Sequence, residues 1–429
     1  MDLASAGDHA VLVQLDPGIA AADLHAAAHS VRALEGVLAC VVGHSSLYIV
    51  FERRPDVERA INAAQGQPVT GNRRHIVVSF RDEYAPDLAE FLALANVTRE
   101  DFLTRIRDLR LVVRYLGFRG GFAYLDGWPP EWAMPRRATS RPVARGSFAI
   151  AGGVAGFYPI DTPGGWNVFG RTGEAIENRF APGDEIAIEP SMLSVPAPPR
   201  SAAVHVEIPG ISAPFITRVR PVNWSNLERG VPVGGPFDLE AAEAANAAVG
   251  RPPDAELLEF AQIGPRVTPD SPLMLGWCDA SGVRIERVRR DETYDFGRIR
   301  GGLRGYLAIG ERPGRIRDLK RDDRLVIRTM RGPHDIGLDG LECEVTASID
   351  RVGIRMRPLH PVATKAPADM LSIGMQFGSL QLHPDGSIVA MGPDHPVTGG
   401  YLQPMTVLWP ERWKLAHLAP RERVRFIAQ

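Results

Sequence analysis

The chain has 429 residues, 45% hydrophobic and 23% charged, a globular composition on a length that calls for about two to four domains. A formal net charge of −2, with 49 basic residues spread along the chain, offers no global attraction to nucleic acid or an anionic membrane, so neither is expected as a partner. No stretch approaches the roughly 20 apolar residues that span a bilayer.

The opening MDLASAGDHAVLVQL lacks the basic region and long apolar core of a signal peptide. Three scattered cysteines, Cys40, Cys278 and Cys343, make neither a metal-ligand pair nor a disulfide framework. A cytoplasmic protein with no metal site is the expectation. With 43 Gly and 36 Pro, many turns between short strands are expected.

The first segment alternates strand and helix signals. Strands are predicted at 10–14, 37–42, 46–51 and 76–80, and helices at 21–34 and 57–64, giving a small α/β domain over 1–80. Two helices follow, one over 86–95 and one opened by a Thr98/Asp101 capping box. From Leu111 to Pro190, Gly and Pro punctuate strand-length runs at 147–151, 166–169 and 185–188, a β-barrel or sandwich pattern over 81–195. The small, Pro-rich stretch 191–203 reads as the linker. In the second half, Asp238 opens an Ala-rich helix over 239–249 that Gly250 ends, and strands fill the rest. We divide this half into barrel-like domains over 204–330 and 331–429.

An internal repeat supports three β-domains. Phe180-x-x-Gly-Asp-x-Ile-x-Ile recurs from Leu319 and from Leu418, each time an apolar anchor, a polar turn and two inward strand positions. The copies read as three closing strands, although any turn followed by a strand can look similar.

The densest chemistry lies in 115–172, where glycines such as Gly164 and Gly165 interleave with Tyr124, Arg137, Thr139, Arg141 and Arg171. Guanidinium groups present paired donors to carboxylates, and glycines admit close backbone approach. Together they describe a pocket for a small anionic or amide-bearing ligand. In the second half, Thr398-Gly399-Gly400-Tyr401 is too Gly-rich for a strand interior and reads as a ligand-facing loop. Arg351 alternates with apolar neighbours on what reads as a solvent-facing strand edge, and His383 and His395 read as surface histidines. Asp238 is an N-cap, a catalytic carboxylate, or both. There is no P-loop, no nucleophile elbow and no G-x-G-x-x-G after a strand, so the chain shows no nucleotide site of its own.

The blocks YLGFRGGFAYLDG, PRRATSRPVARGSFAIAGG and YPIDTPGGWNVFGRT, in that order, resemble the KipI-type subunit of the KipI–KipA family. Val231–Gly250, Asp350–Arg355 and Gly374–Tyr401 resemble the KipA-type subunit, so the chain resembles a fusion of the two, with Asp238 on the family's aspartate. The resemblance implies a mainly β protein: an α+β N-terminal domain followed by cyclophilin-like β-barrels, one in the first part and two in the second. It also implies chemistry, either ATP-coupled opening of the 5-oxoproline lactam or carboxyl transfer from carboxybiotin to urea. Both need a partner subunit that binds ATP; self-association into a homo-oligomer is a further expectation. Tyr124 and Asp238 would be catalytic. Arg137, Thr139, Arg141, Gly164, Gly165, Arg171 and Arg351 would bind substrate, with Thr398–Tyr401 as the opposite wall. The sequence departs from the family at 215–230 and 276–279, and is shortened after Arg312. Two other readings therefore stand beside the enzyme: a regulatory protein of the histidine-kinase-inhibitor kind, and a stand-alone barrel enzyme of specialised metabolism.

Overall fold

The computed structural model describes residues 1–64, 71–118, 120–196, 211–212, 216–319, 321–338, 340–363 and 370–429; positions 197–203 of the expected linker and Phe215 lie outside them. Its first unit is a four-stranded antiparallel sheet in the order β1 (Asp2–Ser5), β2 (Ala10–Gln14), β4 (Ser46–Phe51), β3 (Val37–Val42), covered by α1 (Ala21–Arg32) and α2 (Val57–Ala64). The middle strands are nearly continuous runs of apolar residues because both faces are covered. Val11, Val13, Leu47 and Ile49 pack under Leu24, Val31 and Ile61 of the helices. Ala10, Leu12, Tyr48 and Val50 on the other face pack against Ile373 and Val397, far along the chain.

The strand expected at 76–80 is β5 (Arg73–Ser79), and it belongs to the first barrel rather than to this sheet. Two helices follow, α3 (Leu88–Ala95) and α4 (Arg99–Asp108), the second opened by the expected cap, with Thr98 accepting from the Asp101 N–H. The remaining strands are β6 (Leu111–Gly117), β7 (Phe122–Asp126), β8 (Arg141–Val143), β9 (Ser147–Ala151), β10 (Val154–Phe157), β11 (Thr162–Gly164), β12 (Asn167–Arg171) and β13 (Glu185–Ser191). The barrel closes in the order β10-β7-β6-β13-β5-β12-β9, with β8 and β11 as a separate pair. Phe91 and Phe102 of the two helices join Phe148, Phe157 and Phe169 in its core.

The region expected to form a barrel over 204–330 is instead two open sheets. One has three strands, β14 (Ile211–Ser212), β17 (Arg266–Val267) and β20 (Tyr294–Asp295). The other has five: β15 (Ile216–Val219), β16 (Leu257–Ala261), β18 (Leu273–Asp279), β19 (Gly282–Val288) and β21 (Arg304–Gly310). A short α5 (Ser225–Glu228) precedes α6 (Leu239–Ala248). The alanine face of α6 lies on the five-stranded sheet, and at Gly276 a Cβ would come within 2.2 Å of the Ala245 carbonyl oxygen. That close approach is why a glycine stands there.

The second barrel comprises β22 (Val326–Arg331), β23 (Gly340–Ile349), β24 (Gly353–Pro358), β26 (Ser379–Leu382), β27 (Ile388–Met391), β29 (Leu402–Val407) and β30 (Arg423–Ala428). A separate pair, β25 (Ile373–Gly374) and β28 (Thr398–Gly399), sits beside it, and α7 (Arg412–Ala416) precedes the last strand. Its order, β22-β29-β26-β27-β24-β23-β30, repeats that of the first barrel strand for strand. The repeat extends to hydrogen bonds. Thr172 N–H donates to Gly146 O at 2.9 Å, and Val407 N–H to Gly378 O at 2.8 Å. Gly164 faces Arg141 as Gly399 faces Ile373, so PGGW (163–166) and TGGY (398–401) are the same turn in two barrels.

Of the three copies expected as closing strands, β13 and β30 close barrels. The Leu319 copy runs into β22, which opens the second barrel as β5 opens the first. In each barrel the first and last strands are parallel neighbours, and so carry the same inward pattern.

Candidate functional site

Asp238 caps α6, its Oδ1 accepting the Ala241 N–H at 3.1 Å, and its own N–H donates to Tyr306 Oη at 2.7 Å. The carboxylate is fully buried and saturated. Arg321 donates to both oxygens at 3.0 and 2.8 Å, and His417 Nε2 lies 2.9 Å from Oδ2. Burial would raise its pKa, but the His417 hydrogen bond and the charges of His417 and Arg321 hold it below the usual carboxylate value. With every acceptor position engaged, Asp238 anchors the helix end and orients His417.

The N-terminus of α6 opens on a cavity of about 250 Å³, walled by Trp224, Phe237, Phe377, Trp409, Arg412 and Trp413, with Asp238 on its margin. Trp409 and Arg412 come from the short helical turns between β29 and β30. Arg412 is 7% exposed, and among the described residues no carboxylate lies within ion-pair distance of it. It donates to Gln376 Oε1 at 2.8 Å and lies against the rings of Phe377 and Trp409, 5.3 and 5.1 Å from their centroids. Burial pushes its pKa down to about 9, against the opposing charge of Asp8. The N–H groups Trp409 Nε1 and Arg412 Nε are both buried without an acceptor. A buried cation and aromatic walls suit a small planar ligand carrying a carboxylate.

The residues anticipated from sequence fall into separate places. Arg137 and Arg141 both pair with Asp87 at the start of α3, Arg137 at 2.8 Å, and the Val168 N–H donates to the same carboxylate at 2.6 Å. Thr139 is exposed beside them. Gly165 O accepts the Arg137 N–H at 2.8 Å, and a Cβ on Gly164 would meet Tyr158 Oη at 2.2 Å. Arg171 lies over Tyr84, 5.7 Å from the ring centroid. Tyr124 stacks on Tyr115 at 4.2 Å, and burial pushes its phenol well above the usual range, partly opposed by Arg136.

Arg351 is not on a solvent-facing edge. It pairs with Glu259 at 2.8 Å and Asp394 at 2.7 Å and donates to Gly235 O at 2.7 Å, tying the five-stranded sheet to the second barrel. His395, expected at the surface, is fully buried, two residues before Val397, which packs against the first unit. His383 is half-buried and stacks on Tyr401 at 4.2 Å. Thr398 lies against Gly117 of the first barrel, while Gly399 and Gly400 pass close to Met375 and Met370. Tyr124 and Asp238 thus belong to different clusters, and the two glycine turns belong to different barrels. Sequence reasoning missed Trp409 and Arg412, although the run WPERW (409–413) is an aromatic and arginine signal of the kind sought elsewhere.

Residues 1–181 match the family model described as carboxyltransferase domain, subdomain C and D, and residues 229–312 and 318–428 match that for subdomain A and B. Among curated proteins, the chain is 30% identical over 175 residues to the B subunit of 5-oxoprolinase from Bacillus subtilis (strain 168), covering 36% of this chain and 73% of that protein. It is 26% identical over 209 residues to the protein of the same name from Escherichia coli O157:H7, covering 44% of this chain and 95% of that one. Among solved structures, TTHA0988 superposes with a TM-score of 0.81 at 22% identity, covering 98% of this chain and 99% of that one. This likeness shows that the whole fold, both barrels included, exists in another protein.

Proposed function

Because this chain belongs to the carboxyltransferase-domain family, and resembles the 5-oxoprolinase B subunits over its first part, we propose that it is a component of a 5-oxoprolinase-like or carboxyltransferase-like enzyme. In this reading the cavity at the start of α6 binds a small amide, lactam or carboxylate. The observation that carries it is Arg412, a buried cation that no carboxylate of the described residues reaches, on the wall of an aromatic cavity. Arg412 neutralises a ligand carboxylate, the indoles cover the planar faces, and the end of α6 favours negative charge. ATP or carboxybiotin is supplied by a partner, a reading supported by relatives that are themselves subunits of a larger enzyme. Arg137 and Arg141 of the first barrel, now paired with Asp87, are the alternative anion contact on the same chain.

The test is calorimetric titration of the purified chain with 5-oxoproline and with urea, followed by an ATPase assay with the copurified partner. Saturable binding that Arg412→Met abolishes supports the cavity. Binding lost instead in Arg137→Ala or Arg141→Ala moves the site to the first barrel. Absence of binding together with a kinase as the only partner overturns the enzyme in favour of a regulatory protein.

A further inference from the structure

The cavity lies between the open sheets and the second barrel, yet its two donor residues are held from the first unit. We propose that the turn joining β1 and β2, residues 6–9, is a positioning element of the cavity, with Asp8 and His9 setting Trp409 and the Ala6 carbonyl setting Arg412 through Gln376. The inference rests on reading the cavity as a carboxylate site.

Asp8 Oδ2 accepts the Trp409 N–H at 2.9 Å, fixing the backbone from which the indole projects. The His9 ring stacks on that indole at 4.1 Å with 14° between planes, and Trp224 stacks on it at 5.5 Å. An indole held by two rings and a fixed backbone keeps one rotamer, so the cavity wall it forms is set without an ordering cost on binding. The second connection runs through the Ala6 carbonyl. That oxygen accepts from Tyr48 Oη at 3.2 Å and from Gln376 Nε2 at 3.0 Å. With its amide nitrogen so engaged, Gln376 turns its oxygen to Arg412, 2.8 Å away. Ala6 and Gln376 are buried, and Gly7 takes a φ of 124°, bringing the turn against Thr406, where a Cβ would sit 3.0 Å from Cγ2. The first unit therefore completes a site built mostly from the second half.

The experiment uses the full chain labelled with 5-fluorotryptophan, the Trp409 resonance being assigned through Trp409→Phe. Its ¹⁹F shift is read in His9→Ala, His9→Phe and Gln376→Leu, alongside 5-oxoproline affinity and the thermal midpoint. His9→Ala is expected to shift and broaden the resonance and weaken binding about five- to tenfold. His9→Phe keeps a stacked ring, though it loses the 3.0 Å contact between Nδ1 and Phe51 O, and is expected to restore both readouts whatever its midpoint. Gln376→Leu is expected to weaken binding while leaving the Trp409 resonance in place. An unmoved resonance in His9→Ala overturns the proposal, as does equal loss in His9→Ala and His9→Phe. If the wild type binds no 5-oxoproline while the resonance still moves in His9→Ala and returns in His9→Phe, the positioning role is supported and only that ligand is removed.

Discussion

Asp238 and His417 stand 179 positions apart in sequence and meet through a 2.9 Å hydrogen bond, both side chains fully buried. With Arg321 they weld the start of α6 to the last turn before the closing strand of the second barrel. This weld sets one edge of the proposed binding cavity.

Removing the charge of Asp238 leaves Arg321 and His417 facing a neutral group in the interior. Asp238→Asn is expected to cost about 3–5 kcal/mol in urea unfolding. The wild-type carboxyl is held below its ordinary value when folded, so its contribution is complete above about pH 4 and is lost as pH falls through the lower folded value. Unfolding free energy measured from pH 6 to pH 2 should fall more steeply in the wild type than in Asp238→Asn.

Arg351 and Glu259 form a buried pair between two domains, and Arg304 approaches the same carboxylate at 3.4 Å. Arg351→Met is expected to destabilise by about 3–5 kcal/mol, because Glu259 and Asp394 lose their common partner. Arg351→Lys should recover part of this. Ligand affinity in Arg351→Lys should match the wild type; a loss of binding at an unchanged midpoint would make Arg351 a substrate contact.

Arg412 presents the opposite balance. A buried cation without a carboxylate is a cost to the fold. Arg412→Met is expected to leave the thermal midpoint equal or higher while lowering carboxylate affinity at least about tenfold. A large drop in midpoint with unchanged affinity would make Arg412 a structural residue.

The barrels touch where a Cβ on Gly117 would lie 1.6 Å from Thr398 Oγ1. Gly117→Ala should cost about 1–3 kcal/mol by overpacking. Adding Thr398→Ala should relieve part of it, and a double-mutant cycle should return a non-zero coupling between the two sites. Additive effects would show that the contact is absent in solution.

Much of the local structure was legible in sequence. Strands 10–14, 37–42, 46–51 and 147–151, helix 57–64 and the Thr98 and Asp238 caps follow from apolar spacing and capping chemistry, which act over a few residues. Gly and Pro between short runs pointed to a barrel or sandwich, and the resemblance to the KipI–KipA family to barrels. Tertiary structure decided which strands close on which. Strands β5 and β13 lie far apart in the chain and pair in parallel, and no local pattern assigns Arg73–Ser79 to the barrel rather than to the sheet before it. The same limit applies to the site. Gly164-Gly165-Trp166 and Gly399-Gly400-Tyr401 were expected on one pocket, with Thr398–Tyr401 as its opposite wall. They are alike because they occupy the same turn of two duplicated barrels. The composition around Arg137 and Arg141, and the family resemblance at Arg351, advertised anion binding, but only the fold shows that Asp87, Glu259 and Asp394 already engage them. A guanidinium's role depends on whether a carboxylate reaches it first, and that is settled by contacts between residues distant in sequence. Arg412, which no carboxylate of the described residues reaches, could be singled out only once the chain was folded.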